Sequence, residues 1–596
     1  MKQHHYHIGL SASTPHTLNV TLTIAKPNVQ QQVTLPAWIP GSYMIRNFAR
    51  HIVAFRCTDS QGSPVQHHKI DKQTWQLDNH DRDALIIHYQ VYAFDFSVRS
   101  AYYGADYAFF NGTSVFLAVK GQQDHPVQCN LETPNHHPTW RVATAMQAST
   151  DVDSKGFGQY HCQNYPELID HPVLIGAFDT VSFEASGVSV DMVFAGGHNA
   201  DLSRIANDVK RICEHHIEFF GQPSPVEHYT FITLLSDNSF GGLEHSHSTA
   251  LMFSRHHLPS IHAGNDIDDN YRLFLSLCSH EFWHTWLVKR IRPQELAEAG
   301  LDSEAYTRQL WIYEGFTSYY DDLSLVRCGL VDASDYLVTL GENLTRLERN
   351  LGRTRQSVAE SSFDAWTRFY LQDASSINTI VSYYLKGAIV AMCIDLTLRQ
   401  QSQGRYSLDH VLRALWQEHG LTDIPTSDDT VSNIISRDAG LDLNDFLQAA
   451  ISSTEALPLD ELLASVGITR HTRARQSLSD KGGKPVDKEV RHEVGIATKS
   501  QETGVLVTQV LEGYPAAQAG IQMGDLLIAL DGWQVQDGTL QQHLDRLETG
   551  SSVPVHLLRD GRLVSVLMHI QAARADTVYL TANERGAHLR WLTGHD

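Results

Sequence analysis

A chain of 596 residues is too long for one hydrophobic core, so about three or four domains are expected. With 42% hydrophobic and 19% charged residues the composition excludes a disordered chain. A formal net charge of −22 excludes a broadly basic surface for nucleic acid or anionic membrane.

The first residues, Met1-Lys2-Gln3-His4-His5-Tyr6-His7, lack the apolar core of a secretory signal. No run approaches the roughly 20 apolar residues of a membrane span. Seven scattered cysteines without a CxxC suit reduced thiols. The expected compartment is the cytoplasm.

Residues 1–175 read as an all-β domain. Leu18, Val20, Leu22 and Ile24 alternate with polar residues, 84–92 is a second β-rich run, and Pro40-Gly41 and Asn111-Gly112 mark turns. Over 176–465 the period becomes helical, with apolar residues three and four apart in 200–220, 271–289, 306–326, 335–349, 382–399 and 408–419. A strand over 228–235 precedes most of these. A polar, basic stretch with Lys481-Gly482-Gly483-Lys484-Pro485 reads as a linker or long loop. Strand periods then return over 494–497, 504–510, 525–530 and 552–558, with a helix over 539–547, which defines a β-rich module over 466–573 and a tail over 574–596. The fold class is multidomain α+β.

Inside the helix predicted over 271–289 stands His280-Glu281-Phe282-Trp283-His284, an HExxH pentapeptide. Residues four apart share a helix face, so both imidazoles reach one metal ion, and Glu281 is turned toward a water beside it. In a chain with 34 histidines such a match arises by chance about one time in ten, so a third ligand has to support it. No histidine follows at metzincin spacing, which leaves a glutamate from a second helix. Glu304 lies in a polar helix start, where a carboxylate serves as a dipole partner. Glu314 is instead the only charge in Leu310-Trp311-Ile312-Tyr313-Glu314-Gly315-Phe316-Thr317-Ser318-Tyr319-Tyr320, where an ionised carboxylate needs a cation. Context therefore favours Glu314 over Glu304.

Taken together, His280-Glu281-x-x-His284-Thr285-Trp286, the Glu314-Gly315-Phe316-Thr317-Ser318-Tyr319-Tyr320 run and Gly241-Gly242-Leu243-Glu244-His245 resemble the glycyl aminopeptidase family of metallopeptidases, distant relatives of the aminopeptidase N gluzincins. The resemblance extends to Pro36-Ala37-Trp38-Ile39-Pro40-Gly41-Ser42-Tyr43-Met44-Ile45-Arg46 and to a C-terminal PDZ-like module. It implies a thermolysin-like catalytic domain over 176–465, one zinc ion per chain, and Glu314 as the third ligand beside His280 and His284. Gly241, Gly242 and Glu244 look like the cleft-lining GxMEN segment of the relatives. By that likeness Glu244 binds the free α-amino group of a peptide. His245 stands where the relatives have Asn. Val381-Ser382-Tyr383-Tyr384-Leu385-Lys386-Gly387-Ala388 resembles their YxKGA segment, which makes Tyr384 the oxyanion donor, with Tyr383 as the alternative.

The resemblance thus implies a zinc-dependent aminopeptidase with Glu281 as general base, acting on peptides with a free N-terminus and preferring a small first residue, Gly or Ala. Two alternatives stay open: a zinc endopeptidase fed by its PDZ module, and a catalytically inert PDZ scaffold. Val494-Gly495-Ile496 and the following strands resemble the PDZ domains of bacterial proteases, which capture a C-terminal peptide near a turn such as that at Gly495. Neither nucleic acid nor membrane is expected as a partner.

Overall fold

The computed structural model describes residues 3–80, 82–536, 538–583 and 586–594; of the tail expected over 574–596, residues 584, 585, 595 and 596 lie outside the described residues. The chain divides into two compact units, residues 1–306 with 415–426, and residues 307–414 with 427–596.

In the first unit the alternation around Leu18 to Ile24 becomes the strand Thr17–Ala25, whose Leu18, Val20, Leu22 and Ile24 are all buried. It pairs antiparallel with His4–Leu10 and Ala84–Tyr92 inside a seven-stranded sheet. Two four-stranded sheets share its core, through Gln30–Thr34 and Thr74–Asp78 in one and Tyr107–Phe110 and Val173–Gly176 in the other.

A five-stranded sheet follows; its central strand, His228–Ser236, is the one expected over 228–235, and the helical periodicity signals none of the other four. Its order is Phe178–Ala185, Val188–Ala195, His228–Ser236, Ser248–Ser254 and Phe240–Glu244, with the last strand antiparallel at the edge. Every residue from Tyr229 to Leu235 is buried, because the strand is covered on both faces, and such strands lose the alternating pattern. Helix Leu202–Phe220 packs on Phe178–Ala185, and helix Asp269–Trp283 packs on that helix, on the edge strand Phe240–Glu244 and on its neighbour Ser248–Ser254. Asp268 caps the second helix by accepting the Tyr271 N–H at 2.8 Å. The helix stops at Trp283, short of the expected Lys289, and the chain turns through Val288 at φ 76°. Trp286 and Leu287 are buried in that turn, so the apolar run continues after the helix has ended.

In the second unit the segment expected as one helix over 306–326 is two, Leu310–Tyr313 and Gly315–Arg327, with the break at Glu314. Helix Leu385–Gln401 crosses the second of these so closely that a Cβ added at Gly315 would lie under 3.0 Å from the Cα and carbonyl carbon of Gly387. Side chains at either glycine would force the helices apart. Asp395, fully buried on the same helix, accepts from Tyr319 Oη at 2.9 Å and Arg399 Nε at 3.0 Å, and the single indole N–H of Trp591 lies 3.1 Å from it and 2.9 Å from Tyr319 Oη. Trp591 comes from the helix Ala587–Thr593, so part of the expected tail is built into the helical core. Strand Thr577–Ala582 likewise pairs with Ile468–Arg473.

The β-rich module orders its strands Ile496–Gln501, Gly504–Val510, Leu526–Leu530, Ser552–Arg559 and Arg562–His569, with Ile496–Gln501 at an edge. Among the described residues no helix is long and apolar enough to cross a membrane.

Candidate active site

Within the first unit the last turn of helix Asp269–Trp283 carries His280 and Glu281, and His284 follows as its C-terminal cap. Glu281 is 4% exposed and faces the edge strand Phe240–Glu244. A Cβ added at Gly242 would lie under 3.0 Å from the Glu281 carboxylate, so this glycine leaves the space the acid occupies. Thr249 Oγ1, on the neighbouring strand, lies 3.3 Å from Glu281 Oε2 and 3.0 Å from the Leu243 carbonyl, and its single proton serves one or the other. Arg99 donates to the Gly242 carbonyl at 3.1 Å and fixes the same strand from the β domain.

Glu244, two residues on, is 4% exposed, and its Oε1 has no hydrogen-bond partner among the described residues. Gly41, at φ 88°, lies against it. A Cβ there would come under 3.0 Å from both carboxylate oxygens. The Pro40-Gly41 turn read from the sequence is therefore also the seat of a buried acid. Beside it runs a cavity of about 730 Å³ with Trp38, Gly41, Tyr43, His245 and Lys289 in its wall.

The turn after Glu244 is tied down by Asp170. Its Oδ1 accepts from Lys289 Nζ at 2.7 Å and lies 3.2 Å from His245 Nδ1, while Oδ2 accepts the Ser246 N–H at 3.0 Å. Burial alone would raise the Asp170 carboxyl, but the Lys289 charge and the His245 bond hold it well below the usual carboxylate range. Burial lowers His245, so the imidazole is neutral near pH 7 and its Nδ1–H donates to the carboxylate. His245, whose counterpart in the resembling segment is Asn, thus fixes the backbone through the Asp170 carboxylate.

Within the second unit Glu314 is 2% exposed at the junction of its two helices. Tyr384 precedes helix Leu385–Gln401, its ring stacked on Tyr383 and Phe369 with centroids 4.7 and 5.7 Å away, and its hydroxyl 3.2 Å from that of Tyr370. Burial, and then the Glu314 carboxylate, push the Tyr384 phenol well above its ordinary value, so it stays protonated and able to donate. Tyr383 is fully buried whereas Tyr384 is partly accessible. Glu304 is exposed on a loop.

His280, His284 and Glu314 each offer one ligand atom, and these atoms all lie within 4.8 Å of one another. Two imidazoles and one carboxylate are the donor set that suits a catalytic zinc, with a further position left for water or substrate. Gly41, Thr249, Asp170 and Lys289 were not among the residues singled out from the sequence. Of these only Gly41 carried a local signal, as a turn glycine.

Comparison with known proteins agrees with this architecture. The Peptidase M61 N-terminal domain matches residues 5–177, the M61 glycyl aminopeptidase domain residues 273–390, and a PDZ domain residues 493–570. Among solved structures, an aminopeptidase N family protein from Idiomarina loihiensis is 40% identical with a TM-score of 0.96, over 99% of this chain and 100% of that one. An M1 zinc metallopeptidase from Deinococcus radiodurans is a distant likeness, 14% identical with a TM-score of 0.47 over 77% of this chain and 95% of that one. Among curated proteins, the putative serine protease HhoA of Synechocystis is 36% identical over 75 residues, and the periplasmic serine endoprotease DegP of Escherichia coli is 33% identical over 92 residues. These matches take in 12% and 15% of this chain, which spans about a fifth (19%) of the length of either curated relative. The match to the Idiomarina loihiensis structure over its full length, with the domain matches in the same order along the chain, shows that this protein belongs to the M61 glycyl aminopeptidase family, a family of metallo-aminopeptidases.

Proposed function

We propose that this protein is a zinc-dependent aminopeptidase that removes small N-terminal residues, Gly or Ala, from peptides. The observation that carries the reading is the convergence of His280, His284 and Glu314, with the Glu281 carboxylate of the same helix end seated on Gly242. His280, His284 and Glu314 would hold one zinc ion, which when bound supplies Lewis-acid polarisation of the scissile carbonyl and acidifies the attacking water. Glu281 takes the proton of that water and delivers it to the leaving amine. Glu244, buried with one oxygen lacking a protein donor, anchors the substrate ammonium and so selects a free N-terminus. Tyr384 donates its phenolic proton in a hydrogen bond to the carbonyl oxygen as charge builds there. In the PDZ module the edge strand Ile496–Gln501 offers its backbone to an extended C-terminal peptide, which supports a docking role alongside hydrolysis.

A panel of amino-acid amides and short peptides tests the reading. Hydrolysis of Gly- and Ala-amides is expected, lost on chelation and reduced by about 10²–10⁴-fold in Glu281→Gln. Activity that survives Glu281→Gln overturns the mechanism. N-acetylated peptides cut as fast as free ones would overturn the aminopeptidase assignment in favour of an endopeptidase.

A further inference from the structure

Away from the proposed catalytic set, the second unit contains a cavity of about 370 Å³ walled by the end of helix Ala333–Arg349, the start of helix Leu385–Gln401 and residues 454–461. Lys386 opens onto it and is only 3% exposed. Its ammonium has no hydrogen bond or ion pair with any described residue. Of the other charges of the wall, the two arginines are paired with acids. Arg353 Nη2 meets Glu348 at 2.7 Å and its Nε donates to the Glu348 carbonyl at 3.4 Å, while Arg470 Nε meets Asp460 at 2.6 Å. Glu455 and Glu461 are exposed at the rim. One buried cation is left over.

Three features raise the positive potential around that ammonium. The charge that acts on it is another cation, Arg353, in the same cavity wall. Nη1 of Arg353 takes no acceptor among the described residues. Lys386 also sits in the first turn of a helix of 17 residues, where the backbone dipole disfavours a cation and favours an anion. Burial and Arg353 bring the lysine down to about 8, so it is still mostly protonated at neutral pH. An ammonium in the cavity wall with no protein acceptor keeps its donors available to an anion.

We propose that this cavity is a binding site for a small oxyanion, a carboxylate or phosphate held by Lys386 Nζ and Arg353 Nη1. Ammonium and guanidinium in one cavity wall together offer two charged donors, which suits an anion with two oxygens better than a spherical halide. The site is independent of the metal centre and of the assignment of Tyr384.

The test uses the full chain. Sodium phosphate and sodium acetate are titrated at constant ionic strength with chloride as the balancing anion, and the unfolding temperature is followed. In parallel the lysines are reductively methylated with ¹³C and the Lys386 signal, identified by its loss in Lys386→Arg, is titrated with pH. Phosphate or acetate is expected to give a saturable rise in unfolding temperature and to move the Lys386 midpoint upward by about one unit, which is tenfold tighter binding to the charged lysine. Whichever of the two acts at lower concentration identifies the oxyanion. Lys386→Met is expected to abolish the stabilisation, and Arg353→Gln to weaken it about tenfold, the loss of one charged hydrogen bond. Stabilisation of equal size in Lys386→Met would overturn the site, as would a Lys386 midpoint indifferent to both anions. Should the methionine variant fail to fold, the midpoint in the wild-type protein decides.

Discussion

In the first unit the Glu281 carboxylate rests against the bare backbone of Gly242, with Thr249 as its lateral contact; in the second the Tyr384 phenol is packed among the rings of Tyr383, Phe369 and Tyr370. One group is positioned by the absence of a methyl, the other by several contacts that share the task. A position set by a void is sensitive to a single added carbon, whereas a position set by ring packing survives the loss of any one neighbour.

Three substitutions sharpen or break that contrast. The largest effect is expected from Gly242→Ala. Its new methyl meets the far end of a flexible side chain, so the fold tolerates it while Glu281 swings away, and kcat falls by about 10³ with little change in unfolding temperature. Activity within about tenfold of wild type would mean that the glycine seat does not position the base. Tyr384→Phe keeps the ring stack and removes only the hydroxyl, so kcat should drop by about 10² with KM unchanged. The same loss in Tyr383→Phe, with Tyr384→Phe near wild type, would transfer the role to the neighbour.

Asp170→Asn is the smallest of the three and reads stability. Removing one partner of the Lys289 ion pair and weakening the His245 and Ser246 bonds should lower stability by about 2 kcal/mol at pH 7. The native carboxyl is depressed, so its contribution is present above the unfolded aspartate value of about 4 and disappears as pH falls through the lower native value. Denaturant midpoints of the two proteins should therefore converge only below pH ~4. Convergence near neutrality would show that Asp170 is not held as described.

The strand Ala84–Tyr92 and the helix Leu202–Phe220 were legible because each buries one face and keeps a regular period. Of the five-stranded sheet only the central strand was legible, as the strand expected over 228–235; its edge strand Phe240–Glu244 was not, because it carries the Gly-Gly that reads as a turn. The helix end at Trp283 escaped notice for a related reason: no glycine or proline marks it, and buried Trp286 and Leu287 extend the apolar run. The HExxH pentapeptide and the lone charge of Glu314 were visible from local context alone. Asp170 was not, since it meets His245 across 75 residues and Lys289 across 119, separations at which no periodic pattern links partners. The seats of Glu281 and Glu244 were equally hidden, being contacts that glycines make by having nothing to offer.

Trp591 also bears on the timing of assembly. The buried pair of Asp395 and Tyr319 waits for the indole N–H beside it until a residue 196 positions beyond Asp395 has been made. On the ribosome the helical body therefore carries a buried polar pair short of one donor, and a gap where a large ring belongs, long after its own residues have emerged. A hydrolase whose helical core closes that late stays unfinished while its own chain is still unfolded and exposed.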